Sequence, residues 1–182
     1  ITKEKENVSG DNYTCAAEEN GQFFICLSDG MGSGLEASRE SETVVDTLEQ
    51  LVEAGFSGVT AAKMVNSVLN LKNRDGRFST VDISIVDLYS GMCHFLKAGA
   101  ATTFIKRSHW VEAISSTSLA LGLVQQADFE SSTKKLYEGD FLIMVTDGVL
   151  DALPGEEPEE TMKEIIMEVN TTAAQELGKG IL

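Results

Sequence analysis

Apolar and polar residues follow two patterns along the chain, one typical of strands and one of helices. From Tyr13 to Ser28 two short apolar runs flank Asn20-Gly21, a strong tight-turn signal, so this segment predicts a β-hairpin. Between Leu35 and Ala54, and again after Thr60, apolar residues recur at helical spacing. We expect two amphipathic helices, the first capped by Gly55 and the second beginning at Thr60 as its N-cap.

After the helical pair the pattern becomes alternating and rich in β-branched residues, and the tail returns to helical periodicity. We predict an antiparallel meander of four strands, then two strands joined by Glu138-Gly139-Asp140, then two helices. The predicted meander strands are Thr80–Val86, Met92–Ala98, Thr102–Ile105 and Trp110–Ile114; the later strands are Phe129–Leu136 and Phe141–Val145; the tail helices are Pro158–Val169 and Thr172–Leu177. This order indicates an α+β fold in which helices cover antiparallel sheets.

Composition narrows the class of protein. The chain has 182 residues, 42% of them hydrophobic, which is enough for one domain with a full core. A formal net charge of −15 argues against binding to nucleic acid or to an anionic membrane surface. Cys15, Cys26 and Cys93 are an odd set without paired spacing, which favours reduced, buried thiols and a cytoplasmic domain.

Acidic residues stand where apolar runs begin or end. Asp29 and Asp147 each follow such a run and precede a glycine, Gly30 or Gly148, and Asp11 precedes the first strand of the hairpin. Burying a bare carboxylate costs several kcal/mol unless a cation or strong donors compensate it. A glycine without Cβ can also expose its backbone carbonyl to an ion. We therefore expect the three carboxylates to share one metal pocket.

Four motifs occur together in an order that resembles a known family. They are Ser9-Gly10-Asp11, Ser28-Asp29-Gly30-Met31-Gly32-Ser33-Gly34, Leu119-Ala120-Leu121-Gly122 and Thr146-Asp147-Gly148. This order is similar to that of bacterial metal-dependent Ser/Thr phosphatases of the PPM family, most closely the C-terminal phosphatase domain of its sporulation members. The resemblance covers nearly the whole chain. It implies a single phosphatase domain over 1–182, an α/β/β/α sandwich of two antiparallel sheets flanked by helices, with two Mn²⁺ or Mg²⁺ ions at one edge.

The resemblance also implies a role for each motif residue. Asp29 corresponds to the carboxylate that bridges both ions, the carbonyl of Gly30 to a ligand of one ion, Asp11 to a ligand of the second and Asp147 to a ligand of the first. Hard oxygen ligands suit these cations. The implied reaction is hydrolysis of a phosphoserine or phosphothreonine monoester by a metal-activated water, without a phosphoenzyme.

Two features depart from the family pattern. PPM domains normally close with a strand carrying an Asp-Asp-Met-Thr-like motif that adds a ligand to the first metal, whereas this chain ends at Gly180-Ile181-Leu182. No arginine lies near Asp11 to hold a substrate phosphate, and Lys3 and Lys5 are weak substitutes. The resemblance therefore leaves open whether this chain by itself has a complete metal site.

For the sporulation members, the resemblance implies a small phosphorylated anti-anti-sigma factor as substrate, whose dephosphorylation frees a sigma factor. It also implies an N-terminal membrane and regulatory region, absent from this chain, so that membrane attachment would come from elsewhere. The segment Leu35–Leu71 corresponds to two helices that act as a switch in that family. An apolar face left exposed on either helix would provide a homodimer contact. No nucleic-acid partner is expected.

Alternatives remain open at this stage. The turn at Asp29 also matches the Asp-x-Gly-x-Gly box of GHKL-type ATPases, and a PPM fold without its last ligand could be a catalytically silent interaction module. Asp82 fits either a site role or a partly exposed strand position. His94 and His109 lie far from the acidic turns, so they predict neither a metal pair nor a catalytic triad.

Overall fold

The computed structural model describes residues 8–18, 20–32, 34–72, 78–127 and 129–181, so Lys3 and Lys5 lie outside the described part of the chain. The described residues of 1–100 and 116–135 form one compact unit, and those of 101–115 and 136–182 form a second. The strands are β1 Asp11–Ala17, β2 Gln22–Gly30, β3 Ser79–Asp87, β4 Met92–Ala98, β5 Thr103–Lys106, β6 Val111–Ile114, β7 Glu130–Lys135 and β8 Phe141–Ile143. The helices are α1 Gly34–Glu53, α2 Gly58–Lys72, α3 Asp147–Leu150, α4 Pro158–Glu168 and α5 Ala174–Ile181.

The first unit is built on a five-stranded antiparallel sheet with strand order β1-β2-β3-β4-β7. The predicted hairpin is confirmed: β1 and β2 pair across a turn in which Gly21 has φ +80°, a conformation that glycine adopts without strain. The Asn20 side chain accepts a hydrogen bond from the backbone N–H of Gln22 at 3.0 Å, which stabilises the turn.

The two predicted helices, α1 and α2, are present and contribute to the core of the first unit. The end of α1 is a Schellman motif, since Gly55, at φ +90°, donates to the carbonyl of Val52 and Phe56 donates to that of Leu51. The predicted start of α2 at Thr60 is wrong. The helix begins at Gly58, because the Ser57 hydroxyl accepts the Thr60 N–H at 3.2 Å and serves as the N-terminal cap. The core of this unit is formed by Phe24, Cys26, Val44, Val45, Leu48, Val52, Ala61, Ala62, Val65, Val81, Ile83, Leu96, Ala98 and Leu121.

The second unit contains a three-stranded antiparallel sheet with strand order β6-β5-β8 and the helices α3, α4 and α5. Phe104 on β5 packs with Leu150, Met162 and Ile166 in its core. Lys106 also ties the central strand to α4, because its ammonium donates to the carbonyl of Ile166 at 2.6 Å. The short helix α3 was not predicted.

The predicted four-strand meander is wrong in its pairing, although each of its strands exists. Strand β4 pairs with β3 and β7, whereas β5 pairs with β6 and β8 in the other sheet. After β4 the backbone turns at Gly99, which has φ +63° and donates to the carbonyl of Ser118. Likewise β7 and β8, predicted as joined neighbours, belong to different sheets. The alternating pattern identifies a strand and its buried face, but it does not identify the partner strand.

The predicted α+β class is confirmed, because both sheets are antiparallel and helices accompany each of them. Within the described part of the chain, none of the helices combines the length and the apolar character that a membrane crossing requires.

Candidate metal centre

Asp11 and Asp29 lie directly opposite each other on the paired strands β1 and β2. Opposed residues of an antiparallel pair project their side chains from the same face of the sheet, and like charges in that position repel each other. Both residues are half-buried. The Asp11 carboxylate accepts a hydrogen bond from the Ser9 hydroxyl at 2.9 Å. A divalent cation, which prefers carboxylate oxygen, would turn this repulsive pair into a binding site, so the donor chemistry of the pair fits a metal.

Buried hydroxyl groups fix the backbone on both sides of the Asp29 peptide. Its N–H donates to the Thr80 hydroxyl at 3.1 Å, and its carbonyl accepts from the Ser79 hydroxyl at 3.0 Å. Ser28 donates to the carbonyl of Thr80 at 2.6 Å, and its hydroxyl lies 2.8 Å from that of Ser79. Ser28 and Ser79 are fully buried. These contacts hold the end of β2 against the start of β3 and limit the positions that the Asp29 carboxylate can take.

Close packing explains the glycines beside the two aspartates. A Cβ on Gly30 would lie 2.3 Å from the backbone carbonyl oxygen of Ala37 in α1, and one on Gly10 would lie 3.1 Å from the Asp29 carboxylate. Neither glycine has a positive φ, and neither does Gly148. The value of Gly10 and Gly30 is therefore the space they leave for α1 and for the carboxylate, rather than an unusual turn conformation.

Helix α2 is linked to the start of β3 by the loop that carries the Leu-Ala-Leu-Gly motif. Leu121 exchanges two backbone hydrogen bonds with Ser79, at 2.9 and 3.0 Å. The next residue, Gly122, donates to the side-chain oxygen of Asn66, and the Asn66 amide donates to the carbonyl of Val124 at 3.0 Å. Asn66 is buried, so this amide clamps the loop onto α2. Sequence analysis did not single out Asn66, although a polar residue among the apolar positions of an amphipathic helix is a signal that could have found it.

Asp147 belongs to the second unit, where it is the first residue of α3 and is exposed. Its carbonyl accepts the N–H of Asp151 at 2.8 Å, which closes the only turn of this short helix. Within the described residues of either unit taken alone, there is no group of three or more His, Cys, Asp or Glu side chains that could hold a metal ion. Ligation by Asp147, and by the carbonyl of Gly30, stays a prediction.

Asp82 does not occupy the partly exposed strand position that was one of its two predicted environments. It is 1% exposed, and its carboxylate accepts from the Lys97 ammonium at 2.5 Å across β3 and β4. Lys97 is 2% exposed. Burying a charged side chain is costly unless a group of opposite charge lies beside it. Each residue of this pair therefore compensates the buried charge of the other.

Two of the three cysteines are buried, and both histidines are exposed. Burial is the largest cause that raises the pKa of the Cys26 and Cys93 thiols, that of Cys93 to about 12, so both stay protonated near neutral pH. The prediction of buried thiols is confirmed for these two and is wrong for Cys15, which is exposed at the sheet edge. His94 contacts the Thr133 hydroxyl, and both His94 and His109 are exposed.

Two comparisons of the sequence with known proteins identify the same family. The family model for stage II sporulation protein E (SpoIIE) matches residues 19–182. Stage II sporulation protein E of Bacillus subtilis is 38% identical over 144 residues, which cover 79% of this chain and 17% of that protein. This chain covers 17% of that protein and 30% of stage II sporulation protein E of Priestia megaterium, so it spans less than a third of the length of either relative.

Solved structures agree with the sequence comparison. The PP2C phosphatase domain of SpoIIE from Bacillus subtilis, solved with a fragment of its regulatory domain, superimposes with a TM-score of 0.87 at 34% identity, covering 96% of this chain and 52% of that one. RsbX in complex with magnesium shares the fold at a TM-score of 0.78 and 18% identity, covering all of this chain and 82% of that one.

These neighbours confirm the fold predicted from the motifs. The predicted enzyme class is the one named for the Bacillus subtilis domain, a PP2C phosphatase. The neighbours favour that interpretation of the Asp29 turn over an ATPase box. With the family model matching most of its length, the chain belongs to the stage II sporulation protein E family.

Proposed function

We propose that this chain is one phosphatase domain that hydrolyses phosphoserine on a protein substrate, using two divalent cations, Mn²⁺ or Mg²⁺. The observation that carries the proposal is the directly opposed pair Asp11 and Asp29 in a chain of the SpoIIE family. Two half-buried carboxylates on one face of a hairpin repel each other, and a cation bound between them removes that cost.

The residues of this chain would act mainly by positioning. Asp29 would bridge the two cations, with the Gly30 carbonyl and Asp147 as ligands of the first and Asp11 as a ligand of the second. The backbone contacts of Asp29 with Ser79 and Thr80 would keep its carboxylate in place as charge develops during the reaction. When bound, the cations would supply Lewis acidity toward the phosphate and a nucleophile available at neutral pH.

A phosphorylated anti-anti-sigma factor is the substrate that we propose, and its dephosphorylation would lead to activation of a sporulation sigma factor. Support comes from the family match and from the resemblance of the motifs to the sporulation phosphatases. In the complete protein we propose a cytoplasmic location of this domain, attached to the membrane through other segments. A homodimer would form through the helices corresponding to the switch, α1 and α2.

The test measures phosphate release from a phosphoserine form of an anti-anti-sigma protein, with and without Mn²⁺. Asp29→Asn should lower turnover by orders of magnitude and abolish binding of the second Mn²⁺ by calorimetry, because it weakens the proposed ligand of both ions. Asp46→Asn is the matched control, since Asp46 is an exposed aspartate on α1. Equal turnover by the wild type and Asp29→Asn would refute the assignment.

The same experiment separates the alternatives. Release from the anti-anti-sigma protein but not from an unrelated phosphoserine protein would support the proposed substrate class. Release from both at equal rates would support a phosphatase without that specificity. Binding of the substrate protein without turnover, with Mn²⁺ present and in the complete protein, would favour a silent interaction module.

A further inference from the structure

The loop after β5 and the turn before β8 enclose an open cavity of about 610 Å³ in the second unit. The cavity contains no residue that we assign to the reaction. We call it the Arg107 pocket, and its charged and aromatic lining residues are Arg107, Trp110, Glu112, Tyr137, Glu138 and Asp140.

Arg107 is held in place on several sides. Its guanidinium donates to the Asp140 carboxylate at 2.6 Å and to the Glu112 carboxylate at 3.2 Å. The guanidinium carbon also lies 5.3 Å from the centre of the Trp110 ring and 5.7 Å from that of Tyr137, which are cation–π distances. Only 14% of the Arg107 side chain is exposed. Arg107 therefore orients the two aromatic rings, and its charge is already balanced by carboxylates.

The rings of Trp110 and Tyr137 remain accessible to solvent although Arg107 fixes their orientation. Trp110 is 51% exposed and Tyr137 is 61% exposed. Large aromatic side chains held in a fixed orientation at the surface are typical of the energetic centre of protein interfaces. Ordered aromatic rings lose little conformational entropy when a partner covers them, which favours binding.

The charge of the pocket selects the sign of the partner. Glu112, Glu138 and Asp140 contribute three carboxylates against one guanidinium, so the lining carries a formal charge of −2. Glu138 is exposed, and it forms no ion pair with another residue in the described ranges. An anionic ligand would meet excess negative charge here, whereas a cation could pair with Glu138 and lie over the aromatic rings.

We propose that the Arg107 pocket is a docking site for a lysine- or arginine-bearing segment of a protein partner. The basic side chain lies against Trp110 and Tyr137 and is neutralised by Glu138. The net charge of −15 on the chain adds long-range attraction for such a segment. This inference goes beyond the phosphatase proposal and does not depend on it.

The test uses the indole N–H resonance of Trp110, the only tryptophan of the chain, as a site-specific reporter. The probe is the peptide acetyl-Lys-Arg-Lys-amide, titrated into the ¹⁵N-labelled protein, with acetyl-Glu-Asp-Glu-amide as the matched acidic peptide. We expect a saturable shift with the basic peptide that weakens as ionic strength rises, and no shift with the acidic peptide. A shift of equal size with both peptides, or none with the basic peptide, would overturn the proposal.

Variants locate the contact within the pocket. Tyr137→Ala should weaken peptide binding roughly fivefold, while Tyr137→Phe, which keeps the ring, should bind as the wild type does. Glu138→Gln should weaken binding about threefold and reduce its salt dependence, as expected for the loss of one exposed charge pair. Glu164→Gln, at an exposed glutamate of α4, is the control. Unchanged affinity in both Tyr137→Ala and Glu138→Gln would show that the peptide binds elsewhere.

Discussion

The buried ion pair between Asp82 and Lys97 gives a strong prediction about stability. Replacing Lys97 by methionine keeps an unbranched side chain of similar length but leaves the Asp82 carboxylate without its partner ammonium. Asp82→Leu makes the complementary change and leaves the Lys97 ammonium without its partner carboxylate. The double variant Asp82→Leu/Lys97→Met removes both charges and leaves two apolar side chains in the same place.

The magnitude follows from the geometry of the pair. With an effective dielectric constant of about 20, unit charges separated by 2.5 Å attract each other by about 7 kcal/mol. Removing two ions from water costs several kcal/mol for each, so the intact pair is close to neutral relative to apolar residues. A single buried charge keeps its desolvation cost without the attraction. We therefore expect each single variant to lose about 3–5 kcal/mol of unfolding free energy, and the double variant to lie within about 1 kcal/mol of the wild type or above it.

The assay is urea unfolding followed by circular dichroism, with equal m-values required for comparison. The ion pair between Lys163 and Glu160 is a matched control, because its atoms lie 2.6 Å apart while the glutamate is 59% exposed. Lys163→Met should cost less than about 1 kcal/mol. A loss below about 1 kcal/mol for Lys97→Met, or a double variant as unstable as the sum of the single variants, would refute the reasoning.

Two further predictions concern packing and thiol chemistry. Gly30→Ala should lose about 1–3 kcal/mol of stability by thermal or urea unfolding, because the added Cβ would collide with the backbone of α1. The control is Gly148→Ala, whose added Cβ would meet no neighbouring atom within 4 Å, and it should cost under about 0.5 kcal/mol. Equal losses in the two variants would contradict this explanation. With a disulfide reagent at pH 8, the exposed Cys15 should react rapidly. Cys26 and Cys93 should react only after unfolding, because burial blocks access to them and raises the pKa of their thiols. Rapid reaction of all three thiols in the native protein would be inconsistent with the burial of Cys26 and Cys93.

Local signals in the sequence were sufficient for individual elements. The Asn20-Gly21 turn, the glycine after α1 and the alternation along β3 each depend on neighbouring residues, and each led to a correct element. The division of the strands between two sheets depends on contacts between residues distant in sequence, such as those of β4 with β7. An alternating pattern does not encode these contacts.

In the candidate metal centre, too, local motifs identified some residues, whereas contacts between residues distant in sequence could not be predicted. The order of the acidic motifs indicated Asp11 and Asp29, which the structure places opposite each other. The groups that fix the backbone of Asp29 were missed, because Ser79 lies 50 residues away and is one of many serines in the chain. The ion pair of Asp82 was missed for a similar reason, since a carboxylate on a buried strand identifies its partner only when the neighbouring strand is known.

The direct pairing of Asp11 with Asp29 restricts where the length of the chain can vary. One residue added within β1 or β2 would slip the register by one position and move one carboxylate to the opposite face of the sheet. An added residue at the tip, near Asn20, would leave the pairing intact. Natural insertions and deletions in related chains should therefore gather at the tip of this hairpin, while both strands keep a constant length between the tip and the two aspartates.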